Sequence, residues 1–250
     1  LHDLMNADHF SALHRVVTTQ AANVLVTRVI ANSQATREAF VRNGGAPSKV
    51  RVVYNGIRST AFETESASET NIAPNSATDT PEMVSQKRNK RCTLELTASD
   101  LADDAPVVGV FGRLAPWKGQ HVLIEALREL PDAHALVVGA PLFENDRPYE
   151  QKLRAQAAHF GMEDRVHFLG FRDDVPHLMH ACDVVAHTSV DAEPFGRVVV
   201  EGMMAGRPVV AARAGGPQEI VEDGVTGLLV PPGDPEALAA ALRKVLEQPE

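Results

Sequence analysis

A chain of 250 residues, 44% hydrophobic and 23% charged, is long enough for one large domain or two small ones and apolar enough to bury a core. Acidic residues outnumber basic ones by 33 to 24, and the net charge of −9 argues against a general nucleic-acid binder, which needs a cationic surface. Cys92 and Cys182 show neither a disulfide framework nor zinc spacing, no apolar run approaches the ~18 residues of a membrane span, and no basic-then-apolar leader opens the chain. A soluble protein of a reduced, cytosolic compartment is expected. The first residue is Leu1 rather than methionine, which points to a processed or truncated chain.

The stretch 1–58 begins with a long helical pattern. A short apolar run, Val29 to Ala31, then leads into Asn32-Ser33, a polar pair suited to capping a helix over Gln34 to Val41. Asn43-Gly44-Gly45 ends that helix, Val50 to Tyr54 reads as a strand, and Asn55-Gly56 as a turn. Fifty-eight residues of this kind are too few for a doubly wound domain, so this stretch reads as the last part of one. From 59 to 105 the pattern fails: apolar positions are sparse and Ser, Thr, Glu and Pro dominate, a composition that cannot offset its own ordering entropy. The segment reads as a flexible insertion, and Lys87, Arg88, Lys90 and Arg91 within it as a solvated charge run.

The stretch 106–250 alternates strongly. Strands are expected at Val107 to Phe111, Ala135 to Val138, Val166 to Leu169, Val184 to His187, Pro208 to Ala211 and Gly227 to Val230. Helices are expected at Val122 to Leu130, Glu150 to Phe160, from near Phe195, and at Pro235 to Leu246. Short apolar strands alternating with helices predict an α/β fold, a Rossmann-like parallel sheet with helices on both faces, whose ligands sit beyond the carboxyl ends of the strands.

Four strand-end loops carry the chemistry. Gly112-Arg113-Leu114-Ala115-Pro116-Trp117-Lys118-Gly119 places Arg113 and Lys118 beside a helix start, a setting for a phosphate or diphosphate, with Gly112 admitting a ligand to the backbone and Trp117 packing. It matches neither GxGxxG nor GxxxxGK[ST], which argues against nicotinamide binding and P-loop hydrolysis. In Glu193-Pro194-Phe195-Gly196-Arg197-Val198-Val199-Val200-Glu201, Pro194 suits a first helical turn, Gly196 leaves the backbone open, and Glu201 falls about two turns in. Glu193 either caps that helix or meets ligand hydroxyls. Gly215 and Gly216, in Ala214-Gly215-Gly216-Pro217-Gln218-Glu219, offer backbone donors to an oxyanion or simply turn the chain. Arg172, in Gly170-Phe171-Arg172-Asp173, either contacts a ligand or caps the next helix. The ten histidines show no HExxH spacing and no DxD triplet occurs, so no catalytic metal is expected.

In order, Gly-Arg-x4-Lys-Gly, Gly-Phe-Arg, Glu-Pro-Phe-Gly-x4-Glu, Gly-Arg-Pro-Val-Val, Gly-Gly-Pro-Gln-Glu and Gly-Leu-Leu-Val-Pro-Pro-Gly-Asp resemble family 4 of the retaining glycosyltransferases, of GT-B architecture with two Rossmann-like domains. The resemblance is dense over Pro106 to Leu246 and looser over Val29 to Gly56. It implies transfer of a sugar from a nucleotide-diphosphate sugar to an acceptor (a sugar, a lipid-linked sugar or a small molecule) with retention and without a metal or other cofactor.

Under that resemblance Arg113 and Lys118 hold the diphosphate, Phe195, Gly196, Arg197 and Val198 meet the donor sugar with their backbone, Glu193 positions its hydroxyls, Glu201 binds the ribose, and the base lies near Phe171 and Arg172. Gly112, Gly215 and Gly216 complete the donor site. His2-Asp3 is similar to a His-Asp pair at a first-domain strand end whose histidine reaches the transferred sugar. The resemblance also implies that most of the acceptor-side domain precedes Leu1, that this region gives a cytoplasmic enzyme its contact with a membrane surface, and that the chain alone binds donor without transferring. A nucleotide-sugar epimerase of the same fold and a non-catalytic sugar-nucleotide-binding module are the alternatives.

Overall fold

The computed structural model describes residues 12–58, 62 and 105–247. The first segment holds α1 (Ala12–Leu25), β1 (Val29–Ala31), α2 (Gln34–Arg42) and β2 (Val50–Val52), with β1 and β2 paired in parallel. Ser33 caps α2 as its position suggested, accepting the Thr36 N–H, and Asn43 closes the helix with its N–H on Ala39 O. Ala31, Phe40 and Val50 form a small core there. Ile30 and Val53 remain exposed, as do Leu13, Val16, Val17, Val24 and Leu25 on α1. The insertion expected over 59–105 lies, apart from Phe62 and Ala105, outside the described residues.

The second segment runs β3 (Val107–Phe111), α3 (Gln120–Ala126), β4 (His134–Val138), α4 (Arg147–His159), β5 (Val166–Gly170), α5 (Val175–Ala181), β6 (Val184–His187), α6 (Arg197–Met204), β7 (Val209–Ala212), α7 (Pro217–Ile220), β8 (Leu228–Val230) and α8 (Pro235–Glu247). All six strands pair in parallel in the order β5-β4-β3-β6-β7-β8. Successive strand residues feed opposite faces. Ala135 and Val137 join one buried cluster with Leu123, Ile124, Leu153 and Leu238, while Leu136 and Val138 join the other with Leu178, Met179 and Val199. Burial on both faces is why these strands read as continuous apolar runs rather than as alternating ones.

Some boundaries differ from expectation. The helix expected over Val122 to Leu130 starts at Gln120 and tightens into a 3₁₀ turn at Leu127–Glu129, and α4 begins three residues earlier than Glu150, with Pro148 in its first turn. Pro208 stays outside β7, having no N–H to give the ladder. No helix among the described residues is long and apolar enough to cross a membrane.

The chain order reverses between β3 and β6, which lie side by side with Val108 opposite Val184 and Val110 opposite Ala186. Loops leaving these two strands wind to opposite sides and open a crevice at their carboxyl ends. Here they are also stitched together: Thr188 Oγ1 donates to Lys118 O at 2.9 Å and the Val190 N–H to Trp117 O at 2.8 Å. Gly119, at φ +69°, sits so close that a Cβ there would lie 2.0 Å from Thr188 O. Gly119→Ala is therefore expected to destabilise the chain by about 1–3 kcal/mol, the scale of an enforced left-handed backbone, read as a lowered urea midpoint.

Candidate functional site: a buried carboxylate at the sheet crossover

Lys118 ends the one-turn 3₁₀ helix Pro116–Lys118 and Glu193 lies in the loop after β6, 75 residues on. The crevice brings them together: Lys118 Nζ donates to Glu193 Oε2 at 2.6 Å, with both side chains mostly out of water. Ser189 Oγ donates to the same oxygen at 3.1 Å, and His187 Nε2 lies 3.5 Å from it. Burial by itself would raise the Glu193 pKa. The contact with His187 and the charge of Lys118 overcome that penalty and take it down to about 2.

The backbone of Glu193 is braced from the glycine loop after β7. Gly216 donates its N–H to Glu193 O at 2.8 Å, and Glu193 and Gly215 form an isolated parallel bridge. Gly215, at φ +72°, is demanded twice over, because a Cβ there would sit 2.1 Å from Glu193 O. Of the two readings of this loop, backbone donors to an oxyanion or a turn of the chain, the Gly216 N–H serves the second, being taken by Glu193 O.

Around Glu193 lies an open cleft of about 290 Å³ lined by Asn32, Asn55, Lys118, His187, Glu193 and the run Pro194 to Val198. It therefore gathers Lys118, Glu193, Phe195, Gly196, Arg197 and Val198 of the expected site, and adds residues from the first segment. The helix expected from near Phe195 starts at Arg197, with Gly196 as its N-cap in the left-handed region and no side chain capping its amides. Pro194 and Phe195 precede it, and the Phe195 ring packs against Tyr54 at 6.2 Å. Glu201 is consequently the fifth helical residue, little more than one turn in rather than two. It accepts from Arg197 at 3.1 Å.

Arg113 does not join Lys118 on the cleft wall. Its guanidinium lies over the rings of Phe143 and Trp117, 5.1 and 5.7 Å from their centroids, with Asp146 at 3.7 Å. Trp117 also carries the Lys118 ammonium at 4.2 Å from its ring, so it orients both cations. Gly112 follows β3 at φ +132° with open space beside it. Arg172 is held in a two-pronged pair with Asp174 at 2.7 and 2.8 Å, next to the exposed Phe171. His2 lies outside the described residues.

Sequence reasoning missed a contact that ties the two segments. The Glu219 carboxylate accepts the N–H of Gln34 and of Ala35, each at 2.8 Å, and the Tyr54 hydroxyl at 3.1 Å. With Ser33 serving Thr36, the first three amides of α2 are satisfied, two of them from the other segment. Ser33 Oγ also donates to Pro194 O, beside Glu193. His187, Ser189, Asn32 and Asn55 were missed as well. The available signal was position: His187 ends an apolar strand at its carboxyl end, and the two asparagines follow β1 and β2 in the same way.

A parallel α/β sheet flanked by helices, with a cleft at the strand ends of its crossover, is an architecture of the GT-B class. Residues 95–250, more than half of the chain, match the family described as Glycosyl transferases group 1. The chain belongs to that family. It is similar over its whole length to the crystal structure of Anabaena Alr3699/HepE in complex with UDP and glucose, 42% identical with a TM-score of 0.85, covering 100% of this chain and 61% of that one. The same protein is also solved with UDP-glucose. Curated relatives include the lipopolysaccharide core biosynthesis glycosyltransferase LpsE of Rhizobium meliloti (strain 1021), 37% identical over 59% of this chain and 41% of that protein. A D-inositol 3-phosphate glycosyltransferase of Mycobacterium sp. (strain KMS) is 34% identical over 81% of this chain and 41% of its own length. The chain thus spans about two fifths of these curated relatives and 61% of the Anabaena protein.

Two outcomes follow from the geometry. The Glu193 carboxyl, at about 2 in the fold against an ordinary 4.5, contributes stability that is whole above pH 4.5 and lost as the pH falls toward 2. The urea midpoint of Glu193→Gln should therefore decline less steeply than that of the unaltered chain over that interval. Tyr54 is raised by desolvation and then by the hydrogen bond and charge of Glu219. Glu219→Gln should lower the titration midpoint of Tyr54, read by phenolate absorbance with Tyr149 as the second signal, and should speed hydrogen exchange at Gln34 and Ala35.

Proposed function

We propose that this chain is the donor-binding part of a longer, retaining glycosyltransferase of family 4, acting on a uridine-diphosphate sugar without a metal ion. The observation that carries this reading is the Lys118–Glu193 pair at the mouth of the crevice, in a chain 42% identical to a protein solved with UDP-glucose. Lys118 meets the diphosphate, Arg113 approaches it on leaving its aromatic seat, and the uncapped amides of α6 offer further donors to the developing charge. Glu193 accepts from the sugar hydroxyls and Glu201 from the ribose, while Arg172 and Phe171 border the base.

With cations and a helix terminus on one side of the anomeric carbon, the leaving phosphate oxygen stays on the face from which it departs. An acceptor hydroxyl arriving on that face loses its proton to this oxygen, the C–O bond to the phosphate breaks, and the new bond forms with the configuration kept. The acceptor, a sugar, lipid-linked sugar or small molecule, docks through the segment carrying Asn32 and Asn55 and through residues outside this chain. Nothing in the site favours the epimerase or the non-catalytic module, and both curated relatives described above are named glycosyltransferases.

Titration calorimetry of the chain with UDP, UMP and UDP-glucose tests the reading, and absence of UDP binding by the folded chain would refute it. Lys118→Ala should weaken UDP by about 1.5–3 kcal/mol, the scale of a charged hydrogen bond, and UMP by much less. An equal loss for both nucleotides would remove Lys118 from the terminal phosphate.

A further inference from the structure

His187 closes β6 and is buried, 5% exposed, on the floor of the cleft. Its Nε2 lies 3.2 Å from Ser189 Oγ, and Ser189 Oγ donates onward to Glu193 Oε2 at 3.1 Å. Because the serine hydrogen is given to the carboxylate, the serine oxygen is left to accept, and His187 must donate from Nε2. That assignment makes the buried Nδ1, which has no hydrogen-bond partner, a bare acceptor rather than a stranded donor, the cheaper of the two. The imidazole also lies 3.5 Å from Glu193 Oε2, the long limit of a hydrogen bond, so it acts on the carboxylate both directly and through the shorter bond of Ser189.

The arrangement matters because Lys118 has two anions to serve under the donor reading above, on which this inference rests. Without ligand its ammonium neutralises Glu193 at 2.6 Å. A diphosphate entering the cleft draws that ammonium away from a carboxylate that stays buried. We infer that His187 is a positioning residue which, through Ser189, keeps the Glu193 carboxylate fixed toward the donor sugar when Lys118 turns to the diphosphate. Among the described residues, the charged groups that line the cleft with it are Glu193, Lys118 and Arg197.

The test compares His187→Gln, His187→Asn and His187→Leu. A glutamine amide reaches the place of Nε2 and an asparagine amide only that of Nδ1, so the two polar variants differ in reach and little else. Calorimetry with UDP and UDP-glucose should show that the unaltered chain and His187→Gln share the same gain in affinity from the glucosyl group. His187→Asn and His187→Leu should lose about tenfold of that gain, or ~1.4 kcal/mol, with UDP alone unchanged. Equal losses for UDP and UDP-glucose, or a loss in His187→Gln as large as in His187→Asn, would overturn the inference. Carbon-13 titration of the Glu193 carboxyl in the unliganded chain is independent of the donor reading. His187→Asn and His187→Leu should raise its midpoint more than His187→Gln does, and an unmoved midpoint overturns the inference. If the unaltered chain binds neither nucleotide, the donor reading fails and the carboxyl titration alone decides on His187. If His187→Leu does not fold, the Gln and Asn pair decides.

Discussion

Glu193 keeps its charge in a place where an unpaired carboxylate would cost several kcal/mol, and much of the local structure follows from how that cost is met. The compensation comes from three separate chain segments. Lys118 arrives from the loop after β3, Ser189 and His187 from the end of β6, and the backbone is held from behind by the loop after β7. Each must sit within tenths of an ångström of its place, and two glycines, at 119 and 215, exist where a single methyl would push the loops apart. One buried charge thereby locks three strand-end loops whose sequences have little else in common.

The same economy of charge joins the first segment to the second. An α-helix presents unsatisfied amides at its amino end, and α2 turns that end toward the other segment, where Glu219 accepts two of them. The contact is local and partly open to water, unlike the dry surface between two packed sheets. Its reach is longer than its size suggests, because Gly215 and Gly216 lead straight into α7, which carries Glu219: the residues that brace Glu193 from behind stand beside the residue that grips α2. Ser33 closes the circuit by capping α2 and binding the carbonyl of Pro194. Asn32 and Asn55 thus reach the cleft by a route that passes through the support of Glu193 itself.

The sheet could be read from the sequence because its four central strands are buried on both faces, so apolar runs such as Val107–Phe111 and Val184–His187 stand out without any alternation to decode. Local structure was legible where it depends on residue type at short range, as in the Ser33 cap of α2. It was not legible where partners are far apart in sequence. Nothing local links Lys118 to Glu193, or Glu219 to Gln34. The start of α6 was misplaced because Pro194 suits a helix entry, yet Gly196 takes the left-handed conformation and delays the helix to Arg197, shifting Glu201 by about half a turn. Arg113 was read as free for an anion, whereas Trp117, Phe143 and Asp146 together hold its guanidinium. His187 gave no motif to find, since its partners lie two and six residues away within an irregular loop.

A site with Lys118 already paired differs physically from one with a bare cation waiting for phosphate. A bare ammonium would draw in any anion, and its affinity would fall steeply with salt. Under the proposed function an incoming diphosphate competes with Glu193 for Lys118, and the exchange is more favourable when something else occupies the carboxylate. Sugar hydroxyls can do so, because they donate hydrogen bonds where the ammonium did. Under the proposed function the pair therefore selects for ligands that carry both halves, an anionic diphosphate for Lys118 and a polyhydroxylated group for Glu193. The cost of parting the pair also falls on the donor before reaction and not on the transition state alone, which sets a limit on how tightly the intact donor is held.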